Sequence, residues 1–113
     1  MHATSAAAER VVATSPLTDM VGHHHPPLRI SEYRCRAGGG TGRHRHKADE
    51  KCHVTILAAG AVEVTSYDAR DLVMKIARYE APCVIDYDGG EDRCHKIVAM
   101  TDGTVFFNIP RAG

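Results

Sequence analysis

Tryptophan is absent from this chain of 113 residues, which has only two phenylalanines and four tyrosines. A core drawn from that composition is aliphatic, built from Val, Ile, Leu, Met and Ala. Excess charge is absent too, because 14 Lys and Arg balance 14 Asp and Glu. Without a bulk basic field, neither nucleic acid nor an acidic membrane surface is an expected partner. No stretch approaches the roughly 18 apolar residues of a membrane-spanning helix. The alanines Ala6 to Ala8 run at once into Glu9 and Arg10, so the apolar core of a secretory leader, about 7–15 residues long, is missing. A soluble, cytoplasmic protein is the expectation. In that compartment Cys35, Cys52, Cys83 and Cys94 read as reduced thiols rather than as bridges.

A convincing 3.6-residue apolar period is lacking as well, so helix is scarce. What is present instead is a series of short extended runs, within a length that suits one domain. Residues 1–27, rich in Ala, Ser and Thr and interrupted by Pro16, are expected as a partly flexible N-terminal arm. In His23-His24-His25-Pro26-Pro27 consecutive histidines point in different directions while the prolines hold the backbone extended, so no role in catalysis is assigned there. Residues 28–113 make the folded domain. Its strands are predicted at Leu28 to Arg36, His53 to Leu57, Ala61 to Ser66, Leu72 to Tyr79, Cys83 to Tyr87, His95 to Met100 and Thr104 to Ile109. Gly60 between two of them reads as a hairpin, and Asp88-Gly89-Gly90 and Thr101-Asp102-Gly103 read as turns. Ala37-Gly38-Gly39-Gly40-Thr41-Gly42 reads as a loop that permits close backbone approach. Such a pattern predicts an all-β antiparallel sandwich or barrel.

Chemistry concentrates in the histidines. In a strand, residues i and i+2 share a face, so His44-Arg45-His46 sets two imidazoles side by side. Imidazole suits Zn, Fe, Ni and Cu, and His53 and His95 are the candidates to complete the set. Alternation sends Ile97 and Ala99 inward with His95, and turns Cys52 and Cys94 away from the histidines that follow them. A zinc site made from Cys52, His53, Cys94 and His95 is therefore not expected.

Gly38, five intervening residues, His44-Arg45-His46, an apolar strand ending at Gly60, and a late strand histidine at His95 together resemble the metal-binding cupin pattern over residues 28–109. The family's first motif carries an acid after its H-x-H. Glu50 has that spacing, but the residue six further on is Leu57; counting back from Gly60 gives His53 instead. The strand register favours His53 as third ligand, with Glu50 as the alternative. Asp88-Gly89-Gly90 stands where the second motif has its P-x-G turn, with a longer gap before His95.

The resemblance implies a jelly-roll β-barrel whose His44, His46, His53 and His95 hold a divalent transition metal (Fe, Mn, Ni or Zn), open at one end to a small-molecule ligand. It implies a small metal-dependent enzyme, a dioxygenase, isomerase or cyclase; the alternative is a module that binds metal or ligand without turnover, as a sensor or stress protein does. Glu50, Tyr33, Tyr67, Tyr79 and Tyr87 are the candidates for a general base, and the sequence does not choose among them. Arg43, Arg45 and Lys47 read as a solvated rim, or else as a clamp for an anionic substrate at the barrel mouth. An apolar outer sheet face predicts a homodimer.

Overall fold

Segments such as Thr104-Val105-Phe106-Phe107-Asn108-Ile109 combine β-branched and aromatic residues, which fit a pleated, half-buried surface. A computed structural model describes residues 8–25, 28–45, 54–86 and 94–109. Within them the chain forms the strands β1 (Ala8–Ser15), β2 (Thr18–His25), β3 (Leu28–Cys35), β4 (Gly40–Arg45), β5 (Val54–Ala59), β6 (Ala61–Tyr67), β7 (Val73–Glu80), β8 (Cys83–Asp86), β9 (Cys94–Ala99) and β10 (Thr104–Ile109). They pair antiparallel in a six-stranded sheet of order β1-β2-β3-β10-β5-β8 and a four-stranded sheet of order β4-β9-β6-β7. The architecture is the jelly-roll sandwich expected from the sequence. Among the described residues, no helix is long and apolar enough to cross a membrane.

Strand β10 has its predicted bounds, and β3, β6, β7 and β9 lie within one residue of theirs. The turn at Asp88-Gly89-Gly90 and the start of a strand at His53 fall outside the described residues. Three local expectations are corrected. Ala8–His25, expected in an arm, forms the paired strands β1 and β2, and β2 runs along the whole of β3 from Thr18↔Cys35 to His25↔Leu28. Small and polar residues carry little strand signal of their own, and the ladder to β3 overrides that weakness. Secondly, β4 begins inside the glycine segment read as a loop. Thirdly, Gly60 closes no hairpin, since β5 pairs with β10 and β8 while β6 pairs with β9 and β7. One residue at φ 81° is too short to join paired neighbours, so it turns the chain from one sheet into the other. Thr104 packs against that corner, and its hydroxyl donates to the Thr101 carbonyl at 2.8 Å.

Cys35, Leu57, Val62, Val64, Ile85, Ile97, Ala99 and Phe106 form the core between the sheets. The aliphatic expectation is right in the main, but Phe106 is the largest fully buried side chain, whereas Met74 and Met100 are exposed. The Tyr33 ring stacks on Phe106 at 4.9 Å between centroids and 17° between planes. Full burial of Phe106 or Leu57 contributes about 1.5–3 kcal/mol each.

Along β3, β6, β9 and β10 the inner face changes character in the same direction. At one end, Ala99 exchanges backbone hydrogen bonds with Gly38 and Gly39, and Gly103 donates to the Cys35 carbonyl. From there inner positions run Ala99, Ile97, His95 in β9; Val62, Val64, Ser66 in β6; Thr104, Phe106, Asn108 in β10; and Cys35, Tyr33, Ser31 in β3. The middle of the sandwich is apolar, and its far end is polar.

Candidate metal and ligand site

His95 lies at that polar end with 0 % of its surface exposed, on the same face as Ile97 and Ala99, while Cys94 takes the opposite face beside Tyr67. The expected alternation therefore holds for this strand.

Strand β4 reaches the site by an irregularity. Thr41 pairs with Ile97 and His44 with His95, so three steps on β4 match two on β9. This bulge shifts the alternation by one residue, which brings the His44 position into the inner row and sends Arg43 outward. The Arg43 guanidinium sits over the Tyr67 ring at 4.7 Å and pairs with Asp71 at 3.4 Å. Arg43 thus belongs to the outer surface, and the reading of it as part of an anion clamp at the mouth is corrected. The structure places the backbone of His44; its side chain, the side chain of Arg45, and all of His46, Lys47, Glu50 and His53 lie outside what is described.

Continuing across the small sheet, His95 pairs with Ser66, and Ser66 with Lys75. The row His44, His95, Ser66, Lys75 thus crosses four strands about 4.8 Å apart. On the facing sheet the corresponding row is Gly22, Ser31, Asn108 and Thr55. Thr55, fully buried, donates its hydroxyl to Asn108 Oδ1 at 2.6 Å. One step nearer the mouth, His24 pairs with Arg29. Sequence reasoning missed Ser66, Lys75, His24 and Arg29 as neighbours of the histidines, because no local spacing connects them; only strand register does.

Two cavities approach these rows. One of about 450 Å³ lies at the seam between β3 and β4, lined by Tyr33, Gly38 to Gly42, Ile97 and Val98. Its wall consists of glycine for a steric reason: a Cβ on Gly40 would collide with the Ile97 carbonyl oxygen, and φ there is +138°. The second, of about 270 Å³, lies on β2 and β3, lined by Met20, Gly22, His23, His24, Arg29, Ile30 and Ser31. Of the candidate bases, Tyr33 lines the seam cavity, Tyr67 is on the outer face and Tyr79 packs against the core, while Tyr87 and Glu50 are outside the described residues. Burial pushes the Tyr33 hydroxyl above its ordinary 10.0, with Cys35 adding to the shift. Tyr33 is therefore protonated at neutral pH, a hydrogen-bond donor rather than a base.

Among the described residues, no group of three or more His, Cys, Asp or Glu is arranged to hold a metal ion, and Cys35, Cys83 and Cys94 are free thiols. The donor chemistry that the rows do offer is imidazole at His95, with the His44 position opposite it. Imidazole is a ligand type for borderline divalent metals.

Two antiparallel sheets, joined by corners and polar at one end, define a jelly roll of the cupin type. The comparison with solved structures agrees. The chain is similar to KdgF from Halomonas sp., at 16% identity and TM-score 0.67, covering 92% of this chain and 90% of that one. It is also similar to a Bacillus subtilis oxalate decarboxylase variant, at 15% identity and TM-score 0.71 over 92% of this chain. The Lactobacillus farciminis oxalate decarboxylase in its formate complex matches at 17% identity and TM-score 0.68, again over 92% of this chain. The chain spans 28% and 31% of those two decarboxylase chains. One further B. subtilis oxalate decarboxylase structure, at 15% identity and TM-score 0.68, is of a protein with Mn(II) centres. No protein-family model and no curated protein matches the chain.

Proposed function

We propose that this chain binds a divalent transition metal (Fe, Mn, Ni or Zn) through His44, His46, His53 and His95 and acts on a small organic molecule at the polar end of the jelly roll. The observation that carries the reading is the pairing of His44 with a fully buried His95 in one inner row. Such a centre supplies Lewis acidity toward a carbonyl, carboxylate or enediol oxygen and, with iron, redox chemistry with dioxygen. The neutral imidazoles leave the charge of the ion uncompensated, which favours an anionic oxygen ligand.

The chain's own residues then orient and donate. Tyr33, held by its stack on Phe106, lines the seam cavity and keeps its hydroxyl protonated through burial. Thr55 and Asn108, already bonded to each other, keep the facing wall in a fixed shape. Dioxygenase, isomerase and cyclase activities all need room for a small molecule, and the cavity of about 450 Å³ lined by Gly42 and Ile97, each two residues from a proposed ligand, is within the usual range of small-molecule sites. A second reading, binding without turnover, draws on the lack of any carboxylate in the inner positions of β2–β10. Oxygen uptake with Fe(II) and a panel of enolisable acids separates the two. A homodimer through the outer face of the large sheet belongs to the same proposal, since Ile56 and Val84 are exposed there; light scattering measures its mass.

The test of the metal reading is elemental analysis of protein purified without chelator. Near-stoichiometric metal is expected in the wild type and a loss of most of it in His95→Gln and in the His44→Ala/His46→Ala double variant. Unchanged metal content in all three proteins would refute it.

A further inference from the structure

Lys and Arg balance Asp and Glu over the whole chain, but the strands β2–β10 keep their carboxylates on the outer faces, where Arg34 and Arg78 pair with two of them. Asp19, Glu32, Glu63, Glu80 and Asp86 alternate with core-facing neighbours and so occupy outer positions of β2, β3, β6, β7 and β8. The inner positions of β2–β10 carry no carboxylate. They carry Arg29, level with His24, on the large sheet, and Lys75, level with Ser66 and His95, on the small one. Among the described residues, the charged inner positions at this end are therefore both cationic, which favours an anion there.

On the large-sheet side the basic wall is also a cavity. Arg29, Ser31, His24 and Gly22, with Met20, His23 and Ile30 beside them, bound a space of about 270 Å³, just under the usual size of ligand pockets. Nothing lies within 4 Å of where a Cβ on Gly22 would sit. That open floor lies beside an exposed Arg29 and the Ser31 hydroxyl, and Arg29 offers the planar donor fork that matches a carboxylate.

We infer that this pocket binds the carboxylate of a small organic acid, with Arg29 as its principal anchor and Ser31 and His24 as hydrogen-bonding neighbours. The inference goes beyond the proposed function, because none of the proposed metal ligands lines this pocket. Specificity follows from the chemistry, since a neutral amide of the same shape loses the charge-assisted bonds.

Succinate and succinamide serve as probes in titration calorimetry, with metal-loaded and chelator-treated protein. The expected result is succinate binding that weakens about tenfold or more in Arg29→Gln, is partly restored in Arg29→Lys, and is blocked in Gly22→Leu, whose side chain fills the open floor. Arg43→Gln, on the outer face, is expected to bind as the wild type does, and succinamide is expected not to bind. Equal succinate affinity in wild type and Arg29→Gln, or succinamide binding as tight as succinate, would overturn the inference. Arg29-dependent binding that is identical with and without metal would uphold the pocket as a site independent of the metal.

Discussion

Replacing Gly40 by alanine tests whether the close approach of β4 to β9 builds the site. At φ +138° the backbone is in a region essentially reserved for glycine, so a side chain there costs about 1–3 kcal/mol in strain. The added Cβ would also meet the Ile97 carbonyl oxygen and carbon, which belong to backbone and cannot swing aside. Relieving the clash separates β4 from β9 and weakens the bond from the Gly40 amide to Thr18 Oγ1, 2.8 Å long in the native fold. A lost hydrogen bond adds roughly 1 kcal/mol. The sum is about 2–4 kcal/mol, a large fraction of the stability of a domain this size. Gly42 supplies the control, because nothing lies within 4 Å of its Cβ position and it has no positive φ; Gly42→Ala is expected within about 0.5 kcal/mol of wild type. Urea unfolding followed by circular dichroism measures both midpoints, and an unchanged slope shows that stability alone has moved. On the proposed metal reading, Gly40→Ala also loses metal, since displacing β4 takes the His44 position out of register with His95. The reasoning fails if Gly40→Ala unfolds within about 0.5 kcal/mol of wild type, or if Gly42→Ala is equally damaging.

Stability is also expected to depend on acid through Glu32. Burial of Glu32 raises its carboxyl, but hydrogen bonds from Arg34 and His23 and their charges together outweigh that, and the group titrates below its ordinary 4.5. A depressed folded value means that this contribution is fully present above the unfolded value and is lost as pH falls through the folded one. Wild-type midpoints should therefore drop on acidification below about pH 4.5 more steeply than those of Glu32→Gln; parallel curves would refute this. Phe106→Ala, which empties the fully buried centre of the core and removes the Tyr33 stack, should cost about 3–5 kcal/mol in urea unfolding. Phe106→Leu should cost less than half of that, and equal losses would mean that the site collapses around either side chain.

The part of the fold that could be read along the chain was the part carried by alternation. Ile97 and Ala99 accompany His95 inward because side chains in a strand change face at every residue, which needs no knowledge of the partner strand. Glycine and aspartate at Thr101-Asp102-Gly103 marked a real turn for an equally local reason, with Gly103 at φ 76°. The same logic failed where pairing changed the count. Uninterrupted alternation from Thr41, opposite the core residue Ile97, would have put Arg43 inside and His44 outside. The bulge reverses both, and no residue of β4 announces it.

Sequence by itself thus determined the class of fold and the inward face of β9, since these follow from interactions between near neighbours in the chain. Tertiary structure decided which strands turn corners at Gly60, that Ala8–His25 extends the large sheet, and that Arg29 and Lys75 line the mouth while Arg43 does not. Those outcomes depend on the register between strands far apart in sequence. Register is set by the packing of the whole sandwich and shifts by one residue at a bulge. A one-residue shift exchanges inside for outside, so the cast of the site is settled only when the sheets are assembled.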